Sequence, residues 1–233
     1  MTMEQVLILD TETTGLDPAV DHCIEVAAIR YSLKHGCMIE AVSRVIPIEG
    51  PNAAEVVNRI PAATLALDVA GASAESTWQQ IDRMASHVDA VCAHNAEFDR
   101  SFIPIAPTPM LQKVPWIDTC DGMAWPQQSK PGASLITLAL DHGIGVVDSH
   151  RALADCLLLA HLFQRCAERF DVAALLAQGL RPRALFQALV SFEAKDSAKA
   201  AGFHWDAVSR RWLRRMAIED AGKLGFRTQE VRS

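Results

Sequence analysis

Asp10 and Glu12 form the first pair of side chains whose types and spacing could do chemistry. Asp10 ends an apolar run that begins at Val6. In an extended chain, residues two apart project to the same face, so both carboxylates can point at one spot. Two anions held that close need a cation, and hard divalent ions such as Mg²⁺ and Mn²⁺ prefer carboxylate oxygen. The pair therefore predicts half of a metal site, although the same spacing also occurs in solvated turns.

Asp99 is a second acidic candidate. An apolar run at residues 90–93 leads into a helical pattern, for which Asn95 is a candidate N-cap, and Asp99 lies one turn further along. Taken alone, Asp99 also fits a surface helix beside Arg100, and Glu97 is its local competitor.

His150 and Asp155 open a strongly apolar helical pattern. A carboxylate among the leucines of that pattern would be costly to bury unpaired, so Asp155 either faces outward or meets a cation. His150, at the start of the helix, could reach a water molecule on the same cation. A histidine in that position can equally be a cap or a surface residue.

Apolar runs and breakers predict the elements that must position these side chains. The predicted strands are 6–10, 23–33, 38–46, 90–93 and 116–119, with a hairpin turn at 34–36. The predicted helices are 76–87, 95–102, a segment around 135–139, 151–170 and 172–178. Four prolines between residues 104 and 115 predict an irregular surface loop. Strands first, then alternating helices and strands, predict an α/β fold with a mixed central sheet flanked by helices.

Glycine and proline around residues 179–182 predict a boundary between a main domain at 1–180 and a small α+β module at 181–233. The module pattern is a strand at 185–192, a short helix at 196–201 and a hairpin that includes 203–205 and 211–214. Residues 1–180 carry 11 basic and 22 acidic side chains (net −11), whereas residues 181–233 carry 11 basic and 6 acidic (net +5). Positive potential attracts a polyanion, so the module could help to hold a phosphate backbone. A solvated charged face, a structural appendage and a dimer contact are the alternatives.

Composition limits the class of protein. With 233 residues, half of them hydrophobic, the chain can bury a sizeable core, which excludes a disordered protein. No apolar run is long enough to cross a bilayer, and the first residues lack the basic and apolar regions of a targeting signal, so we expect no membrane partner and a cytoplasmic location. The six cysteines are scattered without a C-x-x-C pair, which predicts reduced thiols.

Taken together, the acidic motifs resemble those of the DEDDh family of 3′-to-5′ exonucleases over most of residues 5–170. The three motifs are LDTETTGL at 9–16, HNAEFD at 94–99 and HRALAD at 150–155. Lesser matches are IEVA at 24–27, IDT at 117–119 and the segment 134–139. The joint order of these motifs is far more specific than any one of them.

The resemblance implies a ribonuclease H-like fold and hydrolysis of phosphodiester bonds with two Mg²⁺ or Mn²⁺ ions. By similarity, Asp10 would bridge both ions, and Glu12 and Asp155 would complete the site of the ion that carries the attacking water. Asp99 would hold the second ion through water, and His150 would be the general base. Two ions can activate the nucleophile and stabilise the leaving oxygen, and an imidazole that titrates near neutral pH can accept the proton.

The resemblance also implies a substrate side. Thr13, Thr14 and Gly15 would receive the 3′-terminal nucleotide, with Leu16 against its base and Asn95 as a further contact. Plain loop packing is the alternative for Leu16, and capping is the alternative for Asn95. Trp78, Trp116 and Trp125 could stack on bases, although core packing is the better expectation for Trp78.

The expected partner is nucleic acid with a free 3′ end. DNA, single-stranded and in a repair or proofreading role, is the favoured substrate, and the motifs are similar to those of the proofreading subunit of bacterial replicative DNA polymerase. The sequence itself does not decide between DNA and RNA, because recognition of a 2′-hydroxyl depends on local contacts that no motif here exposes. An exoribonuclease like oligoribonuclease or ribonuclease T is the first alternative. A binding module that has lost catalysis is the second, and the complete set of four carboxylates and one histidine speaks against it. A polymerase partner or a homodimer is left open.

Overall fold

A five-stranded sheet forms the centre of the larger part of the chain in the computed structural model, which describes residues 3–67 and 73–231. Its strands are β1 (Gln5–Thr13), β2 (Cys23–Ser32), β3 (Cys37–Val45), β4 (Ala90–Ala93) and β5 (Trp116–Asp118). The spatial order is β3-β2-β1-β4-β5. The first three strands form an antiparallel meander, and β4 and β5 run parallel to β1. The sheet is therefore mixed, as predicted.

Helices cover the sheet. In chain order they are α1 (Glu55–Asn58), α2 (Ala62–Leu65), α3 (Ala74–Ala85), α4 (Ala96–Ser101), α5 (Pro109–Lys113), α6 (Leu135–Asp141), α7 (Ala152–Ala167) and α8 (Val172–Ala177). Ile8 packs in one core with buried residues of α6 and α7, whereas Leu7 packs in another with buried residues of α3. Because both faces are covered, β1 is continuously apolar up to Leu9.

The segment predicted as an irregular loop, 104–115, contains α5, so that prediction was wrong. Pro109 is the first residue of this helix, where a missing N–H has no cost. The next two amides, of Met110 and Leu111, donate to Oδ1 of Asp82 (2.8 and 2.9 Å), a buried residue of α3. The helix is thus capped by a side chain distant in sequence, which proline content does not reveal.

The C-terminal part forms a separate small sheet. Its strands are β6 (Arg183–Ala188), β7 (His204–Asp206), β8 (Arg211–Ala217) and β9 (Thr228–Glu230), in the antiparallel order β7-β8-β6-β9, with α9 (Lys195–Ala200) between β6 and β7. The predicted strand, helix and hairpin are all present, but β6 ends at Ala188 and not at 192, and β9 was not predicted. Phe186, Phe203 and Met216 are at the centre of its small core. The division at 180/181 stays a prediction.

Among the described residues, no helix combines the length and the apolar character that a membrane crossing needs.

The cap on α5 gives a test of stability. Replacing Asp82 with alanine leaves two amides without their acceptor, so we expect the free energy of unfolding to fall by about 2 kcal/mol. Chemical denaturation measures this. Gln79→Ala, at an exposed position of the same helix, should change the value by no more than about 0.5 kcal/mol. Equal effects of the two substitutions would contradict the capping role.

Candidate active site

Three carboxylates meet at the end of β1. Asp10 and Glu12 project from the same side of this strand, and Asp155 comes from the first turn of α7, which packs against it. One oxygen from each of the three lies within 4.8 Å of the other two. The alternation of an extended strand explains the first pair, and the helix that crosses the sheet supplies the third oxygen. The predicted half-site and Asp155 are therefore brought together.

Asp99 lies in the same cleft but is held differently. Its side chain is buried, and its Oδ1 accepts hydrogen bonds from the backbone N–H (2.9 Å) and the hydroxyl (2.8 Å) of Thr11. Strand β4 pairs with β1 only as far as Ile8, so the amide of Thr11 has no strand partner there. The Asp99 carboxylate takes that place. Thr11, between the two acidic residues of the first motif, was not singled out from the sequence.

His150 lines the cleft together with the four carboxylates. Its side chain is exposed, and its backbone N–H donates to Oδ2 of Asp155 (3.1 Å). Its φ of 59° lies in the left-handed region, which costs a non-glycine residue about 1 kcal/mol or more. Such a conformation persists only where neighbouring contacts enforce it.

Glu25 and Arg151 provide those contacts. Arg151 Nε and Nη2 donate to the two oxygens of the Glu25 carboxylate (2.9 and 2.8 Å), and the backbone N–H of Ala152 donates to the same group (3.0 Å). Glu25 is buried on β2, opposite Glu12. We call this arrangement the Glu25–Arg151 clamp. It joins the residue after His150 to the central sheet. The sequence contained a signal for it, an acidic residue within the otherwise apolar run 23–29, but its partner was not predictable.

Burial and mutual repulsion raise the pKa values of the carboxylates. Burial, and then repulsion from Asp99 and Asp155, raises the pKa of Asp10 well above its ordinary value. Burial, and then Asp155, raises the pKa of Glu12 to about 8. Burial also raises the pKa of Asp155, although the His150 amide opposes this.

The pKa of Asp99 is raised to about 7 by burial, against the effect of its hydrogen bonds from Thr11. Carboxylates that retain protons near neutral pH are in a site that lacks positive charge. Hard divalent cations supply that charge, and an all-oxygen ligand set suits Mg²⁺ or Mn²⁺. The residues therefore fit the predicted metals.

The end of β1 and the loop that follows it carry the predicted substrate residues. Thr13 and Thr14 are buried, and their hydroxyls bond within the loop, to the Gly15 carbonyl (2.6 Å) and to Asp21 Oδ1 (3.1 Å) respectively. A Cβ on Gly15 would lie 2.4 Å from the Asp21 carboxylate, so this glycine permits the loop itself to close. Leu16 is 84% exposed. The substrate roles of these residues stay predictions.

Asn95 lines the cleft and occupies the predicted N-cap position of α4, but it does not cap the helix through its side chain. It occupies the cap position of α4 with φ 93° and makes no side-chain cap hydrogen bond. Its backbone N–H donates instead to Oδ1 of Asp118 (3.2 Å), which also accepts from the amide of Cys120 (2.8 Å). The side chain of Asn95 is therefore not used to cap the helix.

The three tryptophans that could stack on bases differ in burial. Trp78 is in the core, as expected, and Trp125 is equally buried and stacked against Phe163, so its predicted availability for base stacking was wrong. Trp116 is half-buried, with its Nε1 donating to the Leu111 carbonyl (2.9 Å). Trp116 also lines a second cleft, so its predicted role in base stacking stays a prediction.

Two sequence families match the chain. The family described as "Exonuclease" matches residues 7–163. A domain of unknown function matches residues 184–231. All five predicted catalytic residues lie within the first match.

Curated relatives include PolC-type DNA polymerases. The PolC-type DNA polymerase III of Thermotoga petrophila is 28% identical over 171 residues, which is 70% of this chain, and the chain spans only 12% of that relative. The PolC-type enzyme of Thermotoga maritima is 27% identical with the same coverage.

Solved structures share the fold. Exonuclease X in complex with 5′-overhanging duplex DNA has a TM-score of 0.53 and 24% identity, covering 74% of this chain and 97% of that one. The zinc-bound complex of Escherichia coli exonuclease I with single-stranded DNA has a TM-score of 0.60 and 17% identity, covering 84% and 50%. These likenesses confirm the predicted ribonuclease H-like fold.

The raised pKa values predict how stability depends on pH and metal. The folded, metal-free protein keeps protons on Glu12 and Asp99 that the unfolded chain releases, so its free energy of unfolding should fall as pH rises from about 5 to 8. Because a divalent cation favours the ionised carboxylates, the rise in melting temperature caused by Mg²⁺ should grow over the same interval.

Thermal unfolding with excess Mg²⁺ or EDTA measures both effects. Asp10→Asn should remove most of the Mg²⁺ effect and raise the melting temperature of the metal-free protein by about 2 °C or more at the upper pH. Asp196→Asn, at an exposed site in the C-terminal part, is the control and should behave like the wild type. A Mg²⁺ effect that is equal at both ends of the pH range is incompatible with the raised pKa values.

Proposed function

The chain belongs to the Exonuclease family of metal-dependent phosphodiester hydrolases, and we propose that it is a two-metal-ion 3′-to-5′ exonuclease that acts on DNA, preferably single-stranded. The observation that carries the proposal is the convergence of Asp10, Glu12 and Asp155 within 4.8 Å, in one cleft with Asp99 and His150. The cleft has a volume of about 280 Å³.

The four carboxylates would hold the metal ions. Asp10, Glu12 and Asp155 would hold one ion, and Asp10 together with Asp99 would hold the other. When bound, two such ions neutralise the phosphate, acidify a water molecule and stabilise the leaving oxygen. Thr11 orients Asp99 through two hydrogen bonds. Thr11 therefore positions the Asp99 carboxylate without binding a metal ion itself.

His150 would be the general base. Its exposed imidazole at the cleft can accept a proton from the attacking water and release it to solvent. The water oxygen forms a bond to phosphorus, and the bond from phosphorus to the 3′ oxygen of the preceding nucleotide breaks. The products are a nucleoside monophosphate and a strand shortened by one residue, with a new 3′ hydroxyl.

The 3′-terminal nucleotide would be received by Thr13, Thr14, Gly15 and Leu16, with Asn95 on the other side of the cleft. Because the threonine hydroxyls are already bonded within the loop, the backbone of this loop is the better candidate to contact the sugar. The exposed Leu16 would contact the terminal base. Similarity to part of PolC-type polymerases supports a role in proofreading or repair, with a polymerase as partner. A homodimer is the alternative.

The proposed activity predicts stepwise shortening of a 5′-labelled oligonucleotide from its 3′ end in the presence of Mg²⁺ or Mn²⁺. Asp10→Asn should abolish it. His150→Gln should lower kcat by about 10² to 10⁴-fold, the range typical of a lost general base. His161→Gln, at an exposed position later in α7, is the matched control and should retain wild-type kcat.

Matched single strands of DNA and RNA test the substrate. Faster digestion of DNA is expected. Shortening from the 5′ end, or full activity of Asp10→Asn, would sink the proposal, and faster digestion of RNA would assign the chain to exoribonucleases.

The Glu25–Arg151 clamp predicts a selective effect on kcat. Arg151→Lys keeps the charge but not the two-pronged geometry, so His150 should lose its enforced position. We expect kcat to fall by about 10- to 100-fold with KM nearly unchanged, since small misplacements of a catalytic group have effects of this size. Steady-state kinetics measure both constants. The slope of log kcat against pH should also become shallower, because less of the rate then depends on one base.

A purely structural role of the clamp would lower stability and leave kcat per folded molecule unchanged. Melting temperatures of the same variant, with and without Mg²⁺, separate the two cases. Wild-type kcat in Arg151→Lys would contradict a positioning role.

A further inference from the structure

A second cleft, which we call the seam groove, lies where the C-terminal sheet meets the main α/β part. Its volume is about 490 Å³. Helix α4 and strand β5 form one side of it, and β6 and β8 form the other. Its charged lining residues are Glu97, Arg100, Asp118, Arg183 and Arg215.

Helix α4 separates the seam groove from the active-site cleft. Phe98 and Asp99 line the active-site cleft, whereas Glu97 and Arg100 line the seam groove. At the start of this helix, the Asn95 amide donates to Asp118, so a residue of one depression is bonded to a residue of the other. A helix is about 10–12 Å wide, a distance that a stacked strand covers in roughly three to four nucleotides at 3.4 Å each.

Cations outnumber anions in the seam groove. Arg100, Arg183 and Arg215 face only two carboxylates, and Asp118 is already engaged by the backbone amides of Asn95 and Cys120. Guanidinium groups match the geometry of phosphate oxygens well. The groove therefore suits a chain of phosphates better than a cation or an apolar ligand.

The ion pair across the seam groove is easily exchanged. Arg215 Nε lies 3.1 Å from Oε2 of Glu97, and the two side chains are 45% and 73% exposed. Exposed pairs of this kind contribute about 0–1 kcal/mol, so a phosphate can replace Glu97 as the partner of Arg215 at little cost.

Arg183 is a second cation of the seam groove, and a hydrogen bond holds its side chain in place. Its Nη2 donates to the Arg215 carbonyl (2.6 Å), while its buried Nε makes no hydrogen bond within the described part of the chain. A buried donor without a partner is unfavourable, and an anion nearby reduces that cost. Arg183 and Arg215 project from the same face of the C-terminal sheet, because Arg215 lies opposite Leu185, two residues from Arg183.

We propose that the seam groove binds the phosphodiester backbone of the substrate strand a few nucleotides 5′ of the residue in the active-site cleft. The C-terminal sheet would thereby extend the surface that holds the strand. This inference rests on the proposed exonuclease function of the neighbouring cleft. It assigns a role to the positive charge of residues 181–233, and it selects Arg100 and Arg215 as residues that contact phosphate.

Binding and hydrolysis of short and long substrates test the proposal in the full chain. The test variant is Arg100→Gln with Arg215→Gln. The control is Arg165→Gln with Arg169→Gln, which removes the same charge from exposed positions outside both clefts. Arg183 is left in place because its Nη2 donates to the Arg215 carbonyl within the C-terminal sheet. Binding of a labelled single strand of about 12 nucleotides is measured by fluorescence anisotropy, in an Asp10→Asn background that prevents cleavage, at several salt concentrations.

We expect the test variant to bind the long strand about 10-fold more weakly and to reduce the slope of log affinity against log salt by about 1 to 2, since two phosphate contacts are lost. Hydrolysis of a dinucleotide, which is too short to reach the groove, should be unchanged in the test variant with active Asp10. Glu97→Gln should tighten binding of the long strand, because it removes the carboxylate that competes with phosphate.

Equal binding of the long strand by the test and control variants would overturn the proposal. So would an equal loss with the dinucleotide, which would indicate damage to the active-site cleft. If the wild type shortens no oligonucleotide with Mg²⁺ or Mn²⁺ but the test variant still binds the long strand more weakly than the control variant, the proposed function fails while the groove assignment stands. If an acidic peptide binds the wild type but not the test variant, while the long strand binds both equally well, the partner is a protein and the nucleic-acid assignment is wrong.

Discussion

Repulsion among the carboxylates of Asp10, Glu12 and Asp155 is the constraint on which the rest of the structure depends. Three oxygens within 4.8 Å, partly removed from water, cannot all be negative without a cation. The chain holds them together by rigid means, a central strand buried on both faces and a long helix packed across it. Packing of the apolar residues around them provides the free energy that keeps like charges together, and that stored repulsion becomes affinity for metal.

Hydrogen bonds to two further carboxylates, Asp99 and Glu25, also hold the cleft in its arrangement. Asp99 accepts a hydrogen bond from a strand amide that β4 leaves without a partner, and so it is fixed by the central strand β1 beyond the point where pairing with β4 ends. Glu25 accepts hydrogen bonds from the Arg151 side chain and from the first amide of α7. These bonds tie the helix that carries Asp155 to β2. Each of these carboxylates is both a structural hydrogen-bond acceptor and a source of negative potential in the cleft. Removing one therefore changes position and charge together.

The periodic parts of this chain were predictable from sequence, and the parts that depend on distant partners were not. Strand β4 and the D-x-E pair follow from apolar runs and the two-residue repeat of a strand. Helix α5 and the backbone of Asn95 depend on Asp82 and Asp118, which are far away in sequence. The catalytic candidates were found because several weak local patterns occur in one order, whereas the Glu25–Arg151 clamp joins residues 126 positions apart.

The C-terminal strand β8 shows why composition alone could not assign its charges. Arg214 and Arg215 are neighbours, and in a strand neighbours point to opposite faces. Arg214 turns inward and donates to the Ala201 carbonyl (2.7 Å), which fixes the end of α9, while Arg215 reaches Glu97 across the seam. The net charge of +5 counts both equally. Only the pleat of the strand separates the arginine that stabilises the small sheet from the one that is free to exchange its carboxylate for a phosphate.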